Sequence, residues 1–199
     1  MLLVDTDAFC KLGIAGLLEE AVSFLGSDLS ACGRLPALPH MLRRGSLPRR
    51  YGAEACEALL ASAERMFPIP AADPKSLDPF VSISDIDPGE AQLLATAVSS
   101  EALLLSGDKR ALRALATLTD PLNALKGRVV TIEAILLALA DRIELTELRK
   151  RANLVAPFDQ TIKICFSSGN PDPLSGLRSY FESLEAEVSP LTLWNTHRG

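Results

Sequence analysis

Two acidic residues in this chain stand just past an apolar run, and a third opens the helix between those runs. Asp5 follows Leu2-Leu3-Val4, and Asp108 follows the run Ala102–Ser106 with only Gly107 between. Glu90 lies in the first turn of a helix that leads into the second run. In an open parallel sheet, ligands bind beyond the carboxyl ends of the strands. Asp5 and Asp108 would both project there if their strands are neighbours. Clustered carboxylates repel one another, and a divalent cation relieves the repulsion. Mg²⁺ or Mn²⁺ takes oxygen ligands, polarises a phosphate and lowers the pKa of an attacking water, so the chemistry to expect is hydrolysis at phosphorus. Simpler roles fit the same residues. Asp is a preferred helix N-cap, which would account for Asp5, Asp7 and Asp108. Asp87-Pro88-Gly89-Glu90 reads as a capping box with proline at the first helical position.

The cations are patchy. From Leu29 to Ala53 there is no Asp or Glu, while Arg34, Arg43, Arg44, Arg49 and Arg50 fall in that stretch beside His40 and Tyr51. Such a segment could track a nucleic-acid backbone by counterion release, offer a surface to a protein partner, or be a solvated loop. Lys109 and Arg110, directly after Asp108, could contact phosphate or form the polar face of a helix. His40 and His197 make no case for a ligand or a general base.

The elements that must position these groups alternate between strand and helix. Leu2–Val4 reads as a buried strand. Apolar positions from Asp7 to Leu25 suggest two short helices broken near Gly13 and Gly16. The segment 26–50, with Gly33, Pro36, Pro39, Gly45 and Pro48, reads as turn-rich with one short helix. Glu54 to Met66 is an amphipathic helix, 67–85 a loop containing Pro and Asp, and Pro88 to Ser99 another helix. Ala102–Ser106 is a strand and Lys109–Ala116 a helix. Val129-Val130 is a short strand, Ile132–Ala140 a buried helix and Glu144–Leu154 a further one. After a break near Pro157, Leu174, Leu177, Phe181, Leu184 and Val188 keep helical spacing. The alternation predicts an α/β fold with a doubly wound parallel sheet flanked by helices over 1–155, and a mostly helical C-terminal extension over 156–199. That extension would pack on the domain or on a partner.

Composition supports this reading. Of 199 residues, 48% are apolar and 5% aromatic, so Leu and Ala must do most of the packing, which favours a helix-rich fold. The net charge of −5 gives no global basic footprint for nucleic acid. Cys10, Cys32, Cys56 and Cys165 are widely spaced and form no C-x-x-C pair, so reduced, buried thiols in a cytoplasmic protein are expected, with no zinc site. The start of the chain has no basic leader, and no apolar run approaches the ~18 residues of a membrane span.

LLVDTDAFCKLGIAGLLEEAV resembles the first strand and helix of a PIN domain, where a strand ends on a metal-binding Asp. DIDPGEAQLLATA resembles the D-x-G-E stretch of an uncharacterised PIN subgroup, and LLLSGDKRALRAL the strand-then-Asp segment that follows it. GRVVTIEAILLALADRIEL is similar to the closing strand and helix. The likeness spans roughly residues 1–151 and rests on the order and spacing of the motifs. It implies a PIN-type endoribonuclease with Mg²⁺ or Mn²⁺ held by Asp5, Glu90, Asp108 and Asp87, with Asp7 as a reserve. It also implies RNA as substrate, a toxin's place in a toxin–antitoxin pair, and an antitoxin protein or a second copy of the chain as partner. Lys109, Arg110, Arg43, Arg44, Arg49 and Arg50 would meet the RNA. The acid that PIN nucleases carry after the second strand has no counterpart in 29–53, which leaves a catalytically impaired module binding nucleic acid or protein as the alternative. Asp5-Thr6-Asp7 also resembles the D-x-D of haloacid-dehalogenase-type phosphatases, although Phe9 and Leu112 depart from that family's pattern.

Overall fold

The structure, a computed structural model, describes residues 1–118 and 120–196. β1 (Leu2–Val4) runs into α1 (Thr6–Ile14) and α2 (Leu18–Phe24). A 3-10 turn (Leu29–Ala31) leads to β2 (Cys32–Arg34), then α3 (Leu38–Arg43), α4 (Ser46–Tyr51), α5 (Ala53–Arg65) and β3 (Phe67–Pro68). α6 (Pro74–Val81) and α7 (Pro88–Ser99) precede β4 (Leu103–Ser106). α8 (Lys109–Leu115) and α9 (Asp120–Leu125) precede β5 (Val129–Thr131). α10 (Ile132–Leu139), α11 (Leu145–Ala152), α12 (Gln160–Cys165) and α13 (Pro173–Glu187) follow.

The five strands form one sheet in the order β3-β2-β1-β4-β5, and every pairing is parallel. The α/β class with a parallel sheet between helices is therefore as expected. Strand side chains alternate between faces, and a parallel sheet buries both. Leu2, Val4, Leu105 and Val130 join one apolar cluster, while Leu3, Leu104 and Val129 join the other. The chain first winds from β1 through β2 to β3 and then crosses back to place β4 on the other side of β1. That reversal opens a crevice at the carboxyl ends of β1 and β4, where open α/β sheets bind ligands.

Three expectations need correction. The segment 26–50 holds a strand and two helices besides its turns, 67–85 holds β3 and α6, and α9 has no counterpart in the sequence reading. β2 carries no apolar signal because its residues answer local demands. A Cβ at Gly33 would lie 2.7 Å from Leu3 Cδ2 and 2.8 Å from Ile69 Cγ2, so a side chain there would have to displace its neighbours. Arg34 is buried, and its guanidinium donates to the carbonyl oxygens of Ala63 (2.6 Å), Leu35 (3.0 Å) and Pro36 (3.3 Å). Those bonds offset the cost of taking the charge out of water. β3 contains a proline, which the edge of a sheet tolerates.

Residues beyond 156 share both cores. Ile162, Cys165, Phe166 and Leu177 belong to the cluster that holds Leu2 and Val4. Phe181, Leu184, Val188, Leu191 and Leu193 belong to the other. All four cysteines are buried and free of disulfides, as expected. Among the described residues no helix is long and apolar enough to cross a membrane.

Candidate functional site

The crevice over β1 and β4 is a cleft of about 700 Å³. Asp5, Asp7, Asp87, Glu90 and Asp108 line it, together with Arg50, Tyr51 and Arg110. The sequence-predicted acids thus share one cavity, although each is held differently.

Asp5 is 6% exposed. Its Oδ1 accepts from the Ala8 N–H at 2.7 Å and so caps α1. Its Oδ2 accepts from Ser106 Oγ (2.6 Å) and the Gly107 N–H (2.8 Å). The side chain therefore staples the end of β1 to the turn after β4. Burial raises its pKa against the pull of these donors.

Asp87 and Glu90 form the capping box that the sequence suggests. The Glu90 N–H donates to Asp87 Oδ1 at 2.8 Å, and the Asp87 N–H donates to Glu90 Oε2 at 2.7 Å. Asp108 caps α8 from one side only, with Oδ1 accepting from the N–H groups of Arg110 (2.8 Å) and Ala111 (3.0 Å). Capping does not exhaust these groups, because the Glu90 and Asp108 carboxyls hydrogen-bond to each other. Two carboxylates in contact cannot both stay charged. Burial and the bond to Asp108 push Glu90 up to about 8, so it keeps a proton at neutral pH. Asp108 moves down: burial opposes its charge, but the bond from Glu90 and the helix N–H groups outweigh it.

The pair fits a divalent cation by its donor set, since it offers oxygen ligands and an electrostatic conflict now answered by a proton. Asp5 and Asp87 do not join it at ligand spacing. Among the described residues no three His, Cys, Asp or Glu side chains form a group spaced to hold a metal ion.

Asp7 is the hub of a network the sequence did not reveal. Its Oδ2 lies 2.6 Å from Lys11 Nζ, and its Oδ1 accepts from Tyr51 OH (2.8 Å) and pairs with Arg50 (3.1 Å). Lys11 Nζ also binds Asp159 Oδ2 at 2.7 Å, and its side chain is only 7% exposed. Burial opposes the ammonium charge, but the two carboxylates outweigh it and raise its pKa. Burial and the neighbouring Asp7 raise the Tyr51 phenol likewise. The Tyr51 ring packs edge-on against Phe158 at 5.0 Å, so two consecutive residues of the extension reach this hub. The one sequence signal for the network is the spacing of Asp7 and Lys11, which puts them on one helix face.

The cations expected to meet phosphate fall into two sets. Arg43 pairs with Glu64 at 2.6 Å, Arg50 lies over the Tyr51 ring, and Arg110 stands 3.6 Å from Asp108 Oδ2. Arg44 and Arg49 are exposed on the α3–α4 arm beside the cleft. Lys109 points inward instead, paired with buried Glu133 and donating to Thr161 Oγ1 at 2.8 Å. His40 is exposed, and His197 lies outside the described residues. Compared with family models, with curated proteins and with solved structures, the chain finds no match.

Proposed function

We propose that this chain is a Mg²⁺- or Mn²⁺-dependent endoribonuclease of PIN type that hydrolyses RNA in the cleft over β1 and β4. The observation that carries the reading is the Glu90–Asp108 carboxyl contact at the switch point of the parallel sheet. In this reading Asp108 and Glu90 would hold the ion, which when bound polarises the scissile phosphate and activates a water. Asp5 fixes the β4–α8 turn that presents Asp108. Arg110 and Arg50 stand at the cleft to receive phosphate oxygens, and exposed Arg44 and Arg49 extend that cationic path along the arm. An antitoxin protein would be the natural partner for such an enzyme.

The test is cleavage of a single-stranded RNA pool by purified protein with Mn²⁺, against an EDTA control. Asp108→Asn should reduce the rate at least ~100-fold, since even outer-shell changes at metal sites cost ~10–100-fold. The protein should stay folded with only a modest fall in melting temperature, because Asn still caps the helix although the charge of Asp108 is lost. A folded wild-type chain that leaves the pool intact rejects the reading.

A second reading is a PIN-like module that binds nucleic acid or protein without cutting. It is favoured by Asp7, whose charge is already met by Lys11, Arg50 and Tyr51, and by the lack of any acid in 29–53. RNA retained on the folded protein but never cleaved with Mn²⁺ would select it. A phosphatase using Asp5 and Asp7 draws less support, since one is buried and the other ion-paired. Asp5-dependent hydrolysis of p-nitrophenyl phosphate would reverse that order.

A further inference from the structure

Lys11 is an ammonium held inside the protein by two carboxylates. Asp7 Oδ2 approaches it to 2.6 Å and Asp159 Oδ2 to 2.7 Å, from α1 and from the cap of α12. Asp7 belongs to the lining of the cleft. Its Oδ2 is packed so closely on Gly107 that a Cβ there would come within 2.4 Å of it, and Gly107 directly precedes Asp108. The ammonium therefore meets a carboxylate oxygen that adjoins the Asp108 turn. Removing it would leave two carboxylate oxygens facing one vacated point at 2.6 and 2.7 Å. Divalent ions bind oxygen at ~2.0–2.6 Å, so a small inward movement of either side chain would complete such a contact.

We propose that Lys11 is a resident cation held between Asp7 and Asp159, taking there the place of a divalent ion. Asp159, from the C-terminal extension, is its positioning residue. The lysine explains how Asp7 and Asp159 stand close together without a metal between them. On the ribonuclease reading, on which this last step rests, Glu90 and Asp108 are left as the single divalent site. The chain then uses one exchangeable cation and one that is part of its own sequence.

The experiment counts Mn²⁺ bound to the full chain, by titration calorimetry and by loss of the free-ion electron paramagnetic resonance signal. Wild type is compared with Lys11→Ala and Lys11→Gln, each with and without Asp7→Asn. Each protein is also melted in EDTA and in Mn²⁺. Lys11→Ala and Lys11→Gln should bind one Mn²⁺ more than wild type, and Asp7→Asn should abolish the addition. Mn²⁺ should also raise the melting temperature of Lys11→Ala more than that of wild type. The glutamine variant keeps the side chain's bulk and guards against simple misfolding of the alanine variant. The proposal is overturned if neither variant binds more Mn²⁺ than wild type, or if wild type itself holds an ion that Asp7→Asn removes. A wild-type chain that binds no Mn²⁺ rejects the Glu90–Asp108 pair as a metal site. Even then, an added Asp7-dependent ion in the variants supports the role of Lys11, and its absence overturns it.

Discussion

Glu90 carries a pH signature of its own. An ordinary glutamate ionises near 4.5, whereas in the fold Glu90 holds its proton up to about 8. The folded state binds this proton more tightly than the unfolded chain does. The group's contribution is thus fully present below 4.5 and is lost as pH rises through about 8. Asp108 shifts downward and works the other way, its contribution present above the ordinary 3.8 and lost as pH falls below it. Urea unfolding in metal-free buffer should therefore show stability declining between pH 4.5 and about 8. Glu90→Gln should flatten that decline while keeping the capping box, which glutamine also satisfies. A slope unchanged by Glu90→Gln would place the titrating group elsewhere. Asp5, Glu90 and Asp108 were legible in the sequence because each adjoins an apolar run or opens a helix. Tyr51 and Asp159 were not, because they reach the hub from 44 positions beyond Asp7 and 148 beyond Lys11. Only the fold brings such residues together.

At the level of elements, the turn between β4 and α8 is the most constrained part of the site. Gly107 gives its N–H to Asp5, and a Cβ there would meet Asp7 Oδ2 at 2.4 Å, Ile132 Cδ1 at 3.0 Å and the Ala8 nitrogen at 3.3 Å. The last of these atoms is backbone and cannot swing aside. Gly107→Ala should cost about 1–3 kcal/mol in chemical unfolding, as overpacking does. A cost near zero would show that the turn can relax. The strands that the sequence displayed, β1, β4 and β5, are short apolar runs, the usual mark of a parallel strand buried on both faces. β2 and β3 were hidden because Cys32-Gly33-Arg34 and Phe67-Pro68 are set by close packing, a buried guanidinium and an edge position. α6 was hidden by its internal Pro79.

For the whole molecule, the extension is part of the folding unit. Phe166 and Leu177 lie in the core with Leu2 and Val4, while Leu184, Val188 and Leu193 lie in the core with Leu3 and Leu104. A chain ending at residue 155 should lose cooperative thermal unfolding, followed by circular dichroism, because both cores would open to water. A sharp melt in that truncation would make the extension dispensable. The order of strands has one more consequence, which concerns time. The first strand in the chain is the middle strand of the sheet, and the carboxylate that follows it finds Ser106 across a separation of 101 residues. Contacts of such range form only after a long loop has closed, and they slow folding. The cleft therefore cannot exist before β4 has been made. During synthesis its carboxyl pair comes together only after Asp108 has emerged and β4 has docked on β1.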